Sequence, residues 1–89
     1  MRAFKKTNIA SQTGTLVNSG ACVLRYITVN TTANGAITVA DAITATTPVV
    51  AILQASVLPG TFRYDCVMAK GIYVTTAAAS DITVCYETM

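Results

Sequence analysis

Short apolar runs separated by turn-forming residues divide this chain of 89 residues. Clusters such as Asn18-Ser19-Gly20 and Pro59-Gly60 punctuate it. Between the clusters lie seven runs rich in Val, Ile, Thr and Tyr, at 14–17, 21–29, 36–40, 49–57, 61–68, 72–75 and 82–87. Runs of this length, composition and spacing indicate β-strands. The sequence therefore predicts an all-β fold, a small antiparallel β-sandwich or jelly-roll-like barrel of about seven to eight strands.

The alternation of side chains within each run predicts which residues face the core. In the last run, Cys85 falls on the face opposite the apolar residues Ile82, Val84 and Tyr86. In the run 61–68 the residues Phe62, Tyr64, Cys66 and Met68 are expected to point inward, with Arg63 and Asp65 outward.

Two local signals modify this regular pattern. Leu24, Ile27 and Val29 cannot share one face of a regular strand, which predicts a β-bulge near Arg25-Tyr26. Asn34-Gly35 lies between two alternating runs and is typical of a type I′ turn, because that pair accepts positive φ angles. The sequence therefore predicts a tight hairpin there.

The chain is predicted to form a single sandwich domain at 14–89, preceded by an N-terminal arm at 1–13. The arm contains Arg2, Phe4, Lys5 and Lys6. It is either a frayed end or a segment that docks on a neighbour by strand addition, with Phe4 as its anchor. The basic start is followed by polar residues and not by an apolar stretch, so no signal peptide is expected and the chain should be made in a cytoplasm.

The composition narrows the classes of function. Charged residues make up 11% of the chain, against roughly 25% in an ordinary soluble domain, and the net charge is +2. This excludes a disordered tail and disfavours specific nucleic-acid binding. With no His, scattered acids and no glycine-rich phosphate loop, we expect neither an enzyme nor a metal or cofactor site. Asp41 and Asp81 adjoin turns, where Asp bonds to the backbone.

The stretch 42–62 carries no charge at all. Pro48 and Pro59 interrupt it, so a membrane span is not expected. Its segment 49–53 is apolar on both faces, which fits either a central strand covered twice or a strand covered by a neighbouring subunit. On the second interpretation Val49, Ala51 and Leu53 are the predicted subunit interface.

The chain contains three cysteines, so at least one is free or bonded between chains. Cys66 is expected to be a small buried hydrophobe. Cys85, on the outward face, is the candidate for a disulfide between chains or adjacent strands, with Cys22 as a candidate partner.

The order of motifs resembles the small β-sandwich accessory proteins of tailed-bacteriophage virions. The motifs are GxxxLxxITVNT at 20–31, NGAITVxD at 34–41, PVVAI at 48–52, GTFxYD at 60–65, KGIYV at 70–74 and AxDITVxYE at 79–87. The resemblance implies a structural virion protein, namely a homotrimeric capsid decoration or cement protein that binds the major capsid protein or other virion proteins. It also implies synthesis in a bacterial host and a place in the virion. The three cysteines depart from the pattern.

Two other functions fit the same sequence. One is a neck, tail or fibre-attachment adaptor of the virion. The other is a small carbohydrate-binding or adhesin module, which needs exposed aromatic residues, and Tyr26 and Tyr73 are its candidates.

Overall fold

Eight β-strands make up the regular structure of the described residues, 4–44 and 48–88, in a computed structural model. No helix is present in these residues, and so none that could span a membrane. The strands are β1 (Phe4–Ile9), β2 (Gly14–Ser19), β3 (Cys22–Thr31), β4 (Ile37–Ala40), β5 (Val49–Leu53), β6 (Gly60–Met68), β7 (Gly71–Thr76) and β8 (Asp81–Thr88).

The strands form two four-stranded antiparallel sheets. Sheet A has the order β1-β8-β3-β6 and sheet B the order β2-β7-β4-β5. The first strand therefore pairs with the last, and successive strands alternate between the sheets until β4 and β5, which are neighbours in sheet B. This is the arrangement of an eight-stranded jelly roll, a two-sheet form of the β-sandwich. The predicted all-β sandwich is confirmed.

The segment 1–13 is not a free arm where the structure describes it. Residues 4–9 form β1, which pairs with β8 in continuous register from Phe4 opposite Glu87 to Ile9 opposite Ile82. The strand addition expected on a neighbour takes place within the chain itself. The polar residues at 5–8 give no apolar alternation from which the strand could be predicted. An edge strand with one solvated face does not need it, because backbone hydrogen bonds supply most of its stability.

The core lies between the two sheets and consists of aliphatic side chains from both. Its most deeply buried members are Leu24, Ile27, Val29, Ile37, Val39, Met68, Ile72, Val74, Ile82 and Val84. The predicted inward faces of β6 and β8 are confirmed, since Phe62, Tyr64 and Cys66 pack against this core and Tyr86 belongs to it.

The predicted bulge in β3 is also confirmed. The register of β3 against both β6 and β8 shifts between Leu24 and Tyr26. Because the shift moves every following side chain to the other face, Leu24 and Ile27 both reach the core. The side chain of Arg25 is displaced to the outer face of sheet A, where it meets acidic residues.

The hairpin predicted at Asn34-Gly35 is wrong. β3 belongs to sheet A and β4 to sheet B, so the connection crosses between sheets. Neither residue has a positive φ, which a type I′ turn requires. Gly35 instead allows close packing, because a Cβ there would lie 2.6 Å from the backbone nitrogen of Ala78.

Candidate interaction surface

The charged residues are sorted by sheet. None lies in β2, β7, β4 or β5, the four strands of sheet B. The described charges lie on sheet A or in connections, namely Lys5, Lys6, Arg25, Asp41, Arg63, Asp65, Lys70, Asp81 and Glu87. One side of the sandwich is thus polar and charged, and the other has no charge across its full width.

Four of the charges on the outer face of sheet A are engaged with one another. The Arg25 guanidinium donates to the Glu87 carboxylate from Nε at 2.6 Å, and from its NH1 group to Asp65 at 3.2 Å. Arg63 also contacts Asp65, at 3.4 Å. The hydrogen bonds from Arg25 to Glu87 and then Asp65 raise its pKa above the ordinary value. This face is organised by internal ion pairs across three adjacent strands.

A second polar cluster occupies the same face nearer the other end of the strands. The amide nitrogens of Asn8 and Asn30 donate to Oδ1 of Asp81, at 2.7 and 3.3 Å. The Asn30 amide also contacts the hydroxyl of Thr83 at 3.2 Å. These bonds tie β1, β8 and β3 together, so the cluster has a clear structural role.

The outer face of sheet B is different in kind. Its side chains alternate with the buried ones of the same strands, and we call it the uncharged face. The residues that define it are Leu16, Tyr73, Thr75, Thr38 and Ile52. Leu16 is 45% exposed and Ile52 is 53% exposed. Removing water from neutral apolar and hydroxyl side chains costs less free energy than removing it from charged side chains, so this surface is readily covered.

Exposed aliphatic residues are also concentrated in β5 and in the connections on either side of it. Leu58 in the β5–β6 connection is 80% exposed. The other members of this group are Ile43, Val49, Val50 and Ile52. Two large exposed hydrophobic residues of the described chain lie elsewhere, Leu16 on β2 and Val67, 63% exposed, on β6 in sheet A.

The predicted subunit interface is corrected by the pairing of β5. This strand is the edge of sheet B and not a central strand. Leu53, opposite Ile37, is 6% exposed and belongs to the chain's own core, and Ala51 packs against that core. Val49 is exposed. The free apolar surface of β5 is therefore at Val49, Val50 and Ile52, and of the predicted set only Val49 belongs to it.

The predicted docking residues of the arm lie partly outside the description. Arg2 and the side chain of Phe4 fall outside the described residues. Lys5 and Lys6 lie on β1 with exposed side chains, opposite Tyr86 and Cys85. A deletion of residues 1–6 would remove Phe4, Lys5 and Lys6, which form half of the paired strand β1.

The cysteines are all free. A bond between Cys22 and Cys85 is excluded by their placement, because Cys22 belongs to the core between the sheets and Cys85 points to the outer face of sheet A. Cys85 is nevertheless buried, which the alternation did not predict. It lies opposite Tyr26, and a hydrogen bond between these side chains raises the pKa of the Tyr26 phenol. Side chains on neighbouring strands therefore cover the outward-facing thiol of Cys85, which the alternation predicts to be exposed.

Cys66 is half-buried against the core, as expected for a small hydrophobe. Burial raises the pKa of its thiol, and nearby Asp41 and Asp65 raise it further. Burial likewise raises the pKa of Cys22.

Asp41 makes the expected backbone contacts, although to a different turn from its own. Its carboxylate accepts hydrogen bonds from the amides of Ala69, Lys70 and Gly71, at 3.0, 2.7 and 3.4 Å. These bonds, led by the one from Lys70, lower the pKa of Asp41 below its ordinary value. The carboxylate joins the end of β4 to the β6–β7 turn, and so joins the two sheets.

No pocket and no group of three metal-binding side chains occurs among residues 4–44 and 48–88. Tyr26 lies on sheet A and Tyr73 on sheet B, so the two candidate aromatic residues do not form a common patch. What the described surface offers is extended area, with an uncharged face on one sheet and an apolar edge beside it.

No protein-family model and no curated protein sequence matches this chain. The solved structures that are similar to it include the two that follow. The core of Drosophila NLP, studied for its pentamer formation and histone binding, has a TM-score of 0.62 at 12% identity and covers 98% of each chain. A protein of Bacillus endospore appendages, which form disulfide-linked pili, has a TM-score of 0.48 at 13% identity, with 100% of this chain and 91% of that chain covered. The first likeness establishes a shared fold.

Proposed function

We propose that this protein is a structural component of a tailed-bacteriophage virion, a capsid decoration or cement protein that binds the shell and stabilises it. The motif order in the sequence supports the virion assignment. The observation that carries the binding mode is the uncharged face, which extends over all four strands of sheet B. A shell protein of this type attaches through area, and the many copies in a fixed lattice compensate for a weak individual contact.

The sorting of charge supports a defined orientation on that shell. The uncharged face meets the shell, because covering Leu16, Thr38 and Tyr73 does not require removing ions from water. The face with Arg25, Asp65 and Glu87 remains toward solvent, so binding does not cover its ion pairs. Binding through such a face depends weakly on salt and pH. The resemblance implies that this protein assembles as a homotrimer, and that assembly stays a prediction.

Two matched substitutions test this orientation. Thr38→Lys places a cation in the middle of the uncharged face, and Thr61→Lys makes the same change on the outer face of sheet A. We expect Thr38→Lys to abolish cosedimentation with capsid shells that lack the protein, and Thr61→Lys to bind like the wild type. Equal binding by both variants would refute the assignment of the uncharged face.

The alternative functions are separated by other measurements. Quantitative mass spectrometry of purified virions gives the copy number, where hundreds of copies indicate a shell protein and about a dozen indicate a neck or tail ring. Jelly rolls also occur in lectins, so the fold does not exclude a carbohydrate-binding module. Saturable binding of the isolated protein on a glycan array, with no binding to shells, would favour that module.

A further inference from the structure

The four sheet edges of the sandwich are unequal. An exposed strand edge pairs readily with another chain unless charges, bulges or irregularities discourage it. On sheet A, the edge strand β1 carries Lys5 and Lys6, and the edge strand β6 carries Arg63 and Asp65. Asp65 also has a φ of 51°, which interrupts β6. Both edges of sheet A are therefore protected.

The edges of sheet B carry no charge, and one of them pairs regularly around an exposed apolar residue, Ile52. In β2 the register with β7 shifts in the middle of the strand, between Leu16 and Asn18. The carbonyl of Val17 at that shift accepts a hydrogen bond from the Tyr86 hydroxyl, at 3.3 Å. β5 has its irregularity at its beginning, beside Val50. The segment 51–53 then pairs regularly with β4 and leaves its other edge without a strand among the described residues.

We propose that β5 pairs antiparallel with β5 of a second copy of this chain, about a two-fold axis at Ile52. Antiparallel pairing of a strand with itself is an isologous contact, so one edge supplies both halves. The axis places Ile52 beside Ile52 of the second copy on the outer face, and Ala51 opposite Leu53 on the inner face. Sheet B then continues across the interface as one eight-stranded sheet.

Charge supports a second copy as the occupant. The stretch 42–62 has no charged residue. Neither β5 nor the chain on either side of it can therefore form an ion pair with a charged edge strand of another protein. A partner with Lys or Asp on its edge would lose hydration without compensation, whereas a second β5 brings no charge. Cross-strand aliphatic pairs stabilise such a contact. Leu58, in the connection that follows β5, is 80% exposed and adds apolar surface next to this strand.

This contact adds a specific interaction to the proposed function. It rests on that function in one respect, namely that many copies lie close together on one shell. It also differs from the homotrimer that the resemblance implies, because a two-fold axis joins copies in pairs. The mass of the protein in solution, without any capsid, separates the two assemblies. A failure of this inference would leave the binding of single copies to a shell unaffected.

The test uses the full chain and two opposite charges at one position. We expect light scattering to give twice 9.3 kDa for the wild type at high concentration. Ile52→Lys and Ile52→Glu should each raise the dissociation constant by about tenfold or more, because like charges then meet at the axis. Mixing the two variants should restore the dimer, since the ammonium group introduced in one copy would meet the carboxylate introduced in the other.

Substitutions at Leu16, which is exposed to a similar extent on β2, provide the matched control. Leu16→Lys and Leu16→Glu should leave the dimer intact. A wild type that stays monomeric or forms a trimer would overturn the proposal, and so would dissociation by the Leu16 variants or no restoration in the mixture. If the charged Ile52 variants fail to fold, Ile52→Cys with an added oxidant tests the same axis, and it should form a cross-linked dimer that Leu16→Cys does not form.

Discussion

Asp41 offers the sharpest test of how the two sheets are held together. Its carboxylate accepts three backbone hydrogen bonds from the β6–β7 turn, the shortest being 2.7 Å from the Lys70 amide. Asp41→Ala removes all three, and Asp41→Asn keeps one carbonyl acceptor but turns an amide group toward the donors. A hydrogen bond to a charged group contributes roughly 1.5–3 kcal/mol in favourable cases.

The size of the effect follows from the geometry and the partial exposure of the site. Because Asp41 is half-exposed and its three bonds share one group, we take about 2 kcal/mol for Asp41→Ala and about 1 kcal/mol for Asp41→Asn. A domain of this length loses about 4–8 °C in Tm for each kcal/mol, so Asp41→Ala should unfold about 8–16 °C below the wild type. Thermal unfolding followed by circular dichroism measures this difference.

The pH dependence gives an independent check. The turn amides lower the pKa of Asp41 from its ordinary value of 3.8, so the folded state binds this proton more weakly than the unfolded state. The stability that the carboxylate contributes is therefore complete above pH 3.8 and is lost as the pH falls through the folded-state pKa. The difference between wild type and Asp41→Asn should be constant from neutral pH to about pH 5 and shrink in stronger acid.

Lys70→Gln serves as the control, because it removes the ammonium group but keeps the backbone donors. It should behave nearly like the wild type. The account of Asp41 would be wrong if Asp41→Asn were as stable as the wild type at neutral pH. It would also be wrong if the difference between them persisted unchanged in strong acid.

The remaining predictions concern other contacts. Arg25→Met removes the guanidinium from the buried Glu87 carboxylate and should lower the midpoint of urea unfolding, so an unchanged midpoint would contradict the role of this pair. Thr76→Val breaks a 2.6 Å bond to the Ser11 carbonyl and should lose about 1–2 kcal/mol, whereas Thr75→Val should lose little. Native thiol labelling should modify Cys66 first and faster at alkaline pH, since burial raises its pKa, while the other two thiols react only on unfolding. Loss of free thiols without reductant would refute the last expectation.

The sequence pattern predicted those parts of the fold that depend on side chains facing a core. Alternation gave the buried face of β8, and the mismatch among Leu24, Ile27 and Val29 located the bulge at Arg25. Features that depend on pairing partners were missed. The polar strand β1 is held by β8, far away in sequence, and the signal at Asn34-Gly35 was overridden by the passage of the chain between sheets.

The candidate surface was predicted only in outline, for the same reason. The absence of charge over 42–62 predicts an uncharged surface at β5 without knowledge of the strand order. That β2, β7 and β4 extend the same property across a whole sheet depends on topology, which no local pattern encodes. The burial of Cys85 beside Tyr26 is likewise a cross-strand effect.

The pairing of the first strand with the last has a consequence for how the chain acquires its structure. Of the six strand pairs, only β4–β5 joins strands that are consecutive in sequence, and β8 lies between β1 and β3 in its sheet. Contacts of such long sequence separation make folding slow, on the order of milliseconds to seconds. Sheet A cannot close until the ribosome has released residues 81–88, so β1 must wait without a partner strand through most of synthesis, although β3 can pair with β6 earlier. The scarcity of long uninterrupted apolar segments outside β5 and its surroundings is then an advantage during translation, when premature pairing with other nascent chains is the main hazard.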